Sequence, residues 1–261
     1  NKLMQELLSL SLLQSKIYWK DIDKNLQHFS NLVSRVENTD IILLPEMFNT
    51  SFCPEFSHLA ERMDGKTIKW MQAVSKKKNC IVTGTLMIKE NDRIYNRLVW
   101  ISPSSDIITY DKWHLFSIIK EDKYISKGKK RLIVSDFGWK FCPLICYDLR
   151  FPVFSRNTED YDILIYLANW PKARIDAWDT LLKARSIENQ CYTVGLNRIG
   201  QDGNGIEFNG HSKVFDAFGK EIFAASDNKE DILQVVISKK SLLYKRNKMN
   251  FLNDQDSFTL L

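Results

Sequence analysis

Apolar residues along this 261-residue chain come in short, dense runs more often than in helical stripes. The runs are LLSLSLL (7–13), DIILLP (40–45), CIVTGTLMI (80–88), RLVWIS (97–102), DIITY (106–110), RLIVS (131–135), FCPLIC (141–146), DILIYLA (162–168), CYTVGLN (191–197), SKVFDA (212–217) and DILQVVIS (231–238). Several are continuous rather than alternating, the pattern of strands buried on both faces. Three segments between them carry a helical period. DIDKNLQHFSNLVSRVE (21–37) sets Ile22, Leu26, Phe29, Val33 and Val36 on one stripe, and KTIKWMQAVSKKK (66–78) and RIDAWDTLLKARSIENQ (174–190) behave similarly. The first and third open with an Asp in the first turn, where the exposed N–H groups favour an acid. Strands outnumber helices, and many are neighbours in sequence. The pattern predicts an α/β sandwich, sheets covered by helices, joined by both hairpins and crossovers.

Composition narrows this without changing it. With 44% hydrophobic and 26% charged residues, the chain can bury a large core and fold without staples. No linker, low-complexity tract or repeat divides it, so one domain over 1–261 is expected. The net charge of +5 is mild, and the densest basic runs, SKKKN (75–79) and SKGKKR (126–131), read as a helix end and a loop rather than a nucleic-acid footprint. Five cysteines lack the paired spacing of a zinc site, so no metal is expected, and a reducing cytoplasm is the simplest setting. LLSLSLL is too short to span a bilayer and lacks the flanks of a signal peptide, so no membrane partner is expected.

Three apolar runs stop abruptly on a reactive group: IILLPEMF on Glu46, IITYDKWHLF on Lys112 and PLICYDLRFP on Cys146. Sites in α/β folds collect outside the carboxyl ends of strands, where a rigid base aims side chains into a crevice. Together the three form a coherent set. A thiol needs an adjacent base to attack at neutral pH, and a carboxylate can take that proton and return it. An ammonium stabilises the thiolate and then the oxyanion on an attacked carbonyl. A turn after Cys146 would aim the Tyr147 N–H at the same oxyanion, with YDLRFP starting a helix. Cys142, just before Pro143, reads as a core thiol.

LLPEMF, YDKWHLF and LICYDLRFP, in this order, resemble the Glu-Lys-Cys signatures of the nitrilase (carbon–nitrogen hydrolase) superfamily. The resemblance extends over GTLMIKENDRIYNRLVWISPSSDIITYDKWHLF, DILIYLANWPKARIDAWDTLLKARSIENQCYTVGLNRIG and FNGHSKVFDAFGKEI, most of the chain, and LPEMF with YDKWHLF and ANWP is most similar to the omega-amidase branch. It implies a four-layer α-β-β-α sandwich, usually assembled as a homodimer, and no cofactor. It implies Glu46 as general base, Lys112 as oxyanion stabiliser and Cys146 as nucleophile, acting on a small-molecule amide such as 2-oxoglutaramate or 2-oxosuccinamate. It also suggests Glu121 as a second glutamate. The family commonly has Gly just before that residue, where this chain has Lys120.

Around this set, Asp148 and Arg150 are expected to fix the turn after the cysteine. Arg150, Lys172, Arg174 and Arg198 are candidates for a substrate carboxylate. Trp113, Phe116 and Trp170 are candidate pocket walls, and Arg185 with Glu188 reads as a structural ion pair. Three alternatives remain open on sequence alone: N-carbamoyl, aliphatic-amide or nitrile hydrolysis on the same residues, a Cys–His hydrolase using His114 or His211, and a non-catalytic binding protein.

Overall fold

The computed structural model describes residues 5–259. The first half of the chain builds one sheet and its helices: β1 (Leu7–Gln14), α1 (Ile22–Ser34), β2 (Ile41–Leu43), α2 (Lys66–Lys78), β3 (Ile81–Glu90), β4 (Arg93–Ile101) and β5 (Ile107–Asp111). The second half builds another: β6 (Val134–Asp136), β7 (Trp139–Ile145), the one-turn α3 (Pro152–Ser155), β8 (Ile163–Ala168), α4 (Ile175–Asn189) and β9 (Tyr192–Asn197). A small hairpin follows, β10 (Ile199–Gln201) with β11 (Glu207–Asn209), then β12 (Lys213–Phe215), β13 (Glu221–Ala224), β14 (Asp231–Ser238) and α5 (Lys239–Lys248).

The first sheet runs β14-β1-β2-β3-β4-β5 and the second β13-β12-β9-β8-β7-β6. Each has a parallel centre, β1-β2-β3 in one and β7-β8-β9 in the other, flanked by antiparallel strands. The mixture of hairpins and crossovers matches the sequence pattern.

Side-chain alternation sorts the first sheet into two cores. Leu8, Leu10 and Leu12 of β1, with Ile41 and Leu43 of β2, face the second sheet and pack with Phe141, Ile163 and Ile165. Leu13 and Ile42 face the other way, onto Leu26, Phe29 and Val33 of α1 and Ile68 and Met71 of α2. Strands buried on both faces explain why the runs read as continuously apolar. On the far side, Trp178 and Leu182 of α4 cover the second sheet. There a β-carbon on Gly195 would fall 2.4 Å from Leu182 Cδ1, so the helix approaches only because β9 has a glycine. The result is four layers, α-β-β-α.

Helix ends follow local chemistry. Asp21 caps α1 by accepting the Lys24 N–H at 3.0 Å. Asn79 ends α2 and Gln190 ends α4 in the left-handed conformation. Two expectations need correction, and one element was not foreseen. RLIVS contributes only its last two residues, Val134 and Ser135, to a three-residue strand. YDLRFP does start helical structure, but as a 3₁₀ helix (Cys146–Arg150) followed by the one-turn α3 rather than one continuous helix, because each piece is closed by its own local bonds and Pro152 restarts the chain. Helix α5 had no visible signal: of KKSLLYKRNK only Leu242 is buried. Among the described residues no helix is long and apolar enough to cross a membrane.

Candidate active site

Glu46 follows β2 after Leu44 and Pro45, all fully enclosed. The next residue, Met47, sits at φ +43° and donates its N–H to Thr85 Oγ1 at 2.9 Å, which anchors the bend. The carboxylate is held on every side. Oε1 accepts Lys112 Nζ at 3.0 Å and Asn96 Nδ2 at 2.8 Å, and Oε2 accepts the Asn169 N–H at 2.9 Å.

Lys112, one residue past β5, is 1% exposed and lies between two carboxylates, 3.0 Å from Glu46 and 3.1 Å from Glu121. Burial alone would strip its proton. Glu121, Glu46 and Cys146 outweigh that and hold the ammonium well above its ordinary range. Glu121 is fully buried and accepts the Phe116 N–H at 2.6 Å; burial pushes its pKa up more than Lys112 pulls it down. It reaches this place because Lys120 takes a left-handed turn at φ +64°, the conformation for which glycine is the usual residue.

Cys146, the residue after β7, sits at φ +40°, a strained backbone that lifts its thiol out of the strand direction. The Sγ donates to the Asn169 carbonyl at 3.7 Å, and Glu46 is close enough to act on its ionisation. Burial first, then Glu46, push this thiol well above its ordinary pKa despite Lys112. The resting group is therefore a neutral thiol beside a base, not a stored thiolate. Cys142 is entirely buried in the inter-sheet core, where burial raises its pKa as well.

Asp148 pins the turn below the cysteine. Its Oδ2 accepts the Ile145 N–H at 3.0 Å and Tyr110 Oη at 2.8 Å, and its Oδ1 accepts the His114 N–H at 3.1 Å. His114 is thereby occupied: Nδ1 is 2.8 Å from Asp148 and the ring stacks on Phe151 at 3.8 Å. His211 is held by Asp179 and Asp227. Neither histidine lines the cavity over Cys146, which removes the geometric basis for a Cys–His pair. Arg185 pairs with Glu188 at 2.9 Å and also donates to the Leu149 carbonyl at 2.7 Å, bracing the same turn.

A cavity of about 770 Å³ opens above Glu46, Lys112 and Cys146. Tyr147, Phe116, Trp170, Arg150, Lys172 and Arg174 all line it. Trp113 does not: it packs on Phe154 at 5.1 Å, with Lys127 over its ring, so the expectation that it walls the pocket is corrected. Glu121 lies behind Lys112 rather than in the cavity. Arg198 is also outside it, behind Phe208 and Asn169. Lys172 is paired with Glu207 at 3.2 Å, whereas Arg150 lies over the Trp170 ring and Arg174 over the Phe116 ring. Sequence reasoning missed Asn96, Asn169 and the β10–β11 hairpin, whose Ile206 and Phe208 form one cavity wall. A buried Asn carries no periodic signature, although ANWP did mark the neighbourhood of Asn169.

The profile of the carbon–nitrogen hydrolase family matches residues 9–243. The chain is 39% identical to omega-amidase YafV of Yersinia enterocolitica, covering 97% of this chain and 99% of that protein. It is 32% identical to the 2-oxoglutaramate amidase of Bacillus subtilis, covering 88% and 90% respectively. Among solved structures, XC1258 of Xanthomonas campestris, a CN-hydrolase superfamily protein, superimposes with a TM-score of 0.96 at 36% identity, covering 98% of this chain and all of that one.

Proposed function

The chain belongs to the carbon–nitrogen hydrolase family and is a hydrolase of carbon–nitrogen bonds, and we propose that it is an ω-amidase that releases ammonia from small ω-amides of 2-oxo dicarboxylic acids, 2-oxoglutaramate and 2-oxosuccinamate. The observation that carries the reading is that Glu46, ion-paired to the Lys112 ammonium, shares the cavity floor with the Cys146 thiol and acts on its ionisation. Glu46 takes the thiol proton as Sγ bonds to the amide carbon, so the thiolate never has to persist against its raised pKa. The carbonyl oxygen gathers the charge and is met by Lys112 and the Tyr147 N–H. Glu46 passes its proton to the departing nitrogen, the C–N bond breaks, and ammonia leaves a thioester. Glu46 then deprotonates water, which adds to the thioester, and the S–C bond breaks to give the acid and the thiol. Glu121, behind Lys112, holds the ammonium toward the oxyanion.

Substrate choice follows from charge. Of the four expected cations, Arg198 lies outside the cavity, Lys172 is engaged by Glu207, and Arg150 and Arg174 have aromatic rather than acidic partners, so these last two are assigned to the substrate's carboxylate. All five cysteines are free, consistent with a reducing compartment, and we place the enzyme in the cytoplasm. A homodimer through the α3–α4 side is in keeping with its exposed Val153, Ile187 and Phe258. The test is ammonia release from 2-oxoglutaramate, an aliphatic amide and an N-carbamoyl amino acid, with Cys146→Ala as control. Preference for the oxo-acid amide and trapping of an acyl-enzyme are expected; preference for the carbamoyl compound overturns the assignment.

A further inference from the structure

Arg198, one residue past β9, is fully buried, yet no carboxylate forms an ion pair with it among the described residues. A buried cation without an ionic partner is costly and rarely retained for packing alone. Its hydrogen bonds go elsewhere. Nε donates to the Ile199 carbonyl at 3.2 Å, Nη2 to the Ile17 carbonyl at 3.1 Å, and Nη1 to Ser51 Oγ and to Asn169 Oδ1, the latter at 3.4 Å. Phe208 covers the guanidinium, with its ring 4.5 Å away, and separates it from the cavity. Burial lowers its pKa to about 10, which still leaves it charged at neutral pH.

The fork thus joins the chain after β1, after Glu46, after β8 and after β9, the carboxyl ends of strands in both sheets. Asn197 and Arg198 grip neighbouring residues: Asn197 Oδ1 accepts the Trp170 N–H at 2.7 Å, and Arg198 holds Asn169. With Oδ1 turned to the guanidinium, Asn169 Nδ2 faces the Glu46 carbonyl at 2.6 Å. An amide flip would put two carbonyl oxygens against each other. We propose that Arg198 is a positioning residue for the reaction: through its hydrogen bond to Asn169 Oδ1 it locks Asn169 in the orientation that holds Glu46. The inference rests on Glu46 being the general base. The ionisable groups facing Glu46 are Lys112, Glu121 and Cys146, and Asp202 acts on Arg198 at longer range.

The experiment measures the pH dependence of kcat/KM for 2-oxoglutaramate, the rate of Cys146 alkylation by iodoacetamide, and the melting temperature, for the wild type, Arg198→Met and Arg198→Lys. In Arg198→Met, kcat is expected to fall roughly 10- to 100-fold with little change in KM. The acidic limb of its profile should move toward neutrality, as loosening Asn169 weakens the N–H bond that favours ionised Glu46. Arg198→Lys keeps the charge but not the fork, so kcat and the limb should change in the same direction as in Arg198→Met. An Arg198→Met enzyme that melts earlier but keeps its kcat and acidic limb has lost packing only, and the proposal fails. If Arg198→Met does not fold, Arg198→Lys decides: wild-type kcat overturns the positioning role. Should the wild type leave the amide intact, the ω-amidase reading fails separately. Alkylation still tests Arg198: slower labelling in Arg198→Met supports its hold on Glu46 through Asn169, and unchanged labelling overturns it.

Discussion

Asn169 holds Glu46 from two directions, with its backbone N–H 2.9 Å from the carboxylate Oε2 and its side-chain Nδ2 2.6 Å from the Glu46 carbonyl. The same residue's carbonyl lies 3.7 Å from Cys146 Sγ, so base and nucleophile share one support from β8. Replacing it by alanine removes the side-chain grip and leaves a buried carbonyl unpaired, at a cost of about 1–3 kcal/mol. Asn169→Ala is therefore expected to lower kcat roughly tenfold with KM little changed. Steady-state kinetics check this, and a rise in KM alone would make Asn169 a substrate-binding group instead.

The buried trio of Glu46, Lys112 and Glu121 makes a second prediction. Lys112→Met leaves two enclosed carboxylates without their ammonium and should destabilise the fold by about 3–5 kcal/mol. Glu121→Gln keeps the shape and removes the titration. Glu121's folded pKa is raised above its unfolded value, so its contribution is fully present below the unfolded value and is lost as pH rises through the folded one. Wild-type stability should thus fall, relative to Glu121→Gln, as pH rises from about 4.5 upward. Urea melts of both proteins across that window measure the difference, and parallel curves count against a raised Glu121.

These residues were unequally visible in the sequence. Glu46, Lys112 and Cys146 stand out because each ends an apolar run, where a rigid strand end aims a reactive side chain. The layers were legible because both faces of the central strands are covered. Asn96 was not, since it lies inside β4 and only its partners, Glu46 and Thr85 Oγ1, distinguish it from a surface residue. Trp113 and Phe116 sit three residues apart with similar chemistry, yet Trp113 packs beside Phe154 and Phe116 turns to the cavity. Helix α5 escaped notice because partners from elsewhere hold it: Arg246 donates to the Gln190 carbonyl and Lys245 pairs with Asp216.

The cysteines differ in a way that labelling can read. Cys146 is partly exposed in the cavity, whereas Cys53, Cys80, Cys142 and Cys191 are buried. Iodoacetamide should modify Cys146 alone in the native protein. Because burial and Glu46 raise that thiol's pKa, the rate should keep climbing into the alkaline range rather than levelling near neutrality. Mass spectrometry after timed labelling tests this. Cys142→Ala should leave the rate unchanged, and a plateau near neutral pH would show a stored thiolate.

Charge at the cavity mouth separates the expected substrate from its neutral analogues. Arg150→Met and Arg174→Met should each raise KM for 2-oxoglutaramate by roughly 10-fold or more, in line with about 1.5–3 kcal/mol for a charge-assisted hydrogen bond. Lys172→Met should change it much less, because Glu207 already occupies that ammonium. A neutral aliphatic amide should be indifferent to all three. Equal effects on both substrates would mean that the arginines shape the pocket through Trp170 and Phe116 rather than bind a carboxylate.

Lys120 carries a cost that the site itself does not need. At φ +64° a side chain crowds its own carbonyl, a penalty of about 1–2 kcal/mol that glycine avoids. Part of that gain is lost again because glycine leaves the unfolded chain freer. Lys120→Gly should therefore stabilise the protein by about 0.5–1 kcal/mol, raising the melting temperature by roughly 1–4 °C in a chain of this size. The turn would still deliver Glu121 to Lys112, since the Phe116 N–H and the Lys112 ammonium hold that carboxylate independently of residue 120. Activity should accordingly stay at the wild-type level. A stabilised enzyme with reduced kcat would instead show that the strained turn tunes the placement of Glu121, and Glu121→Gln in the Lys120→Gly background would then have no further effect on kcat.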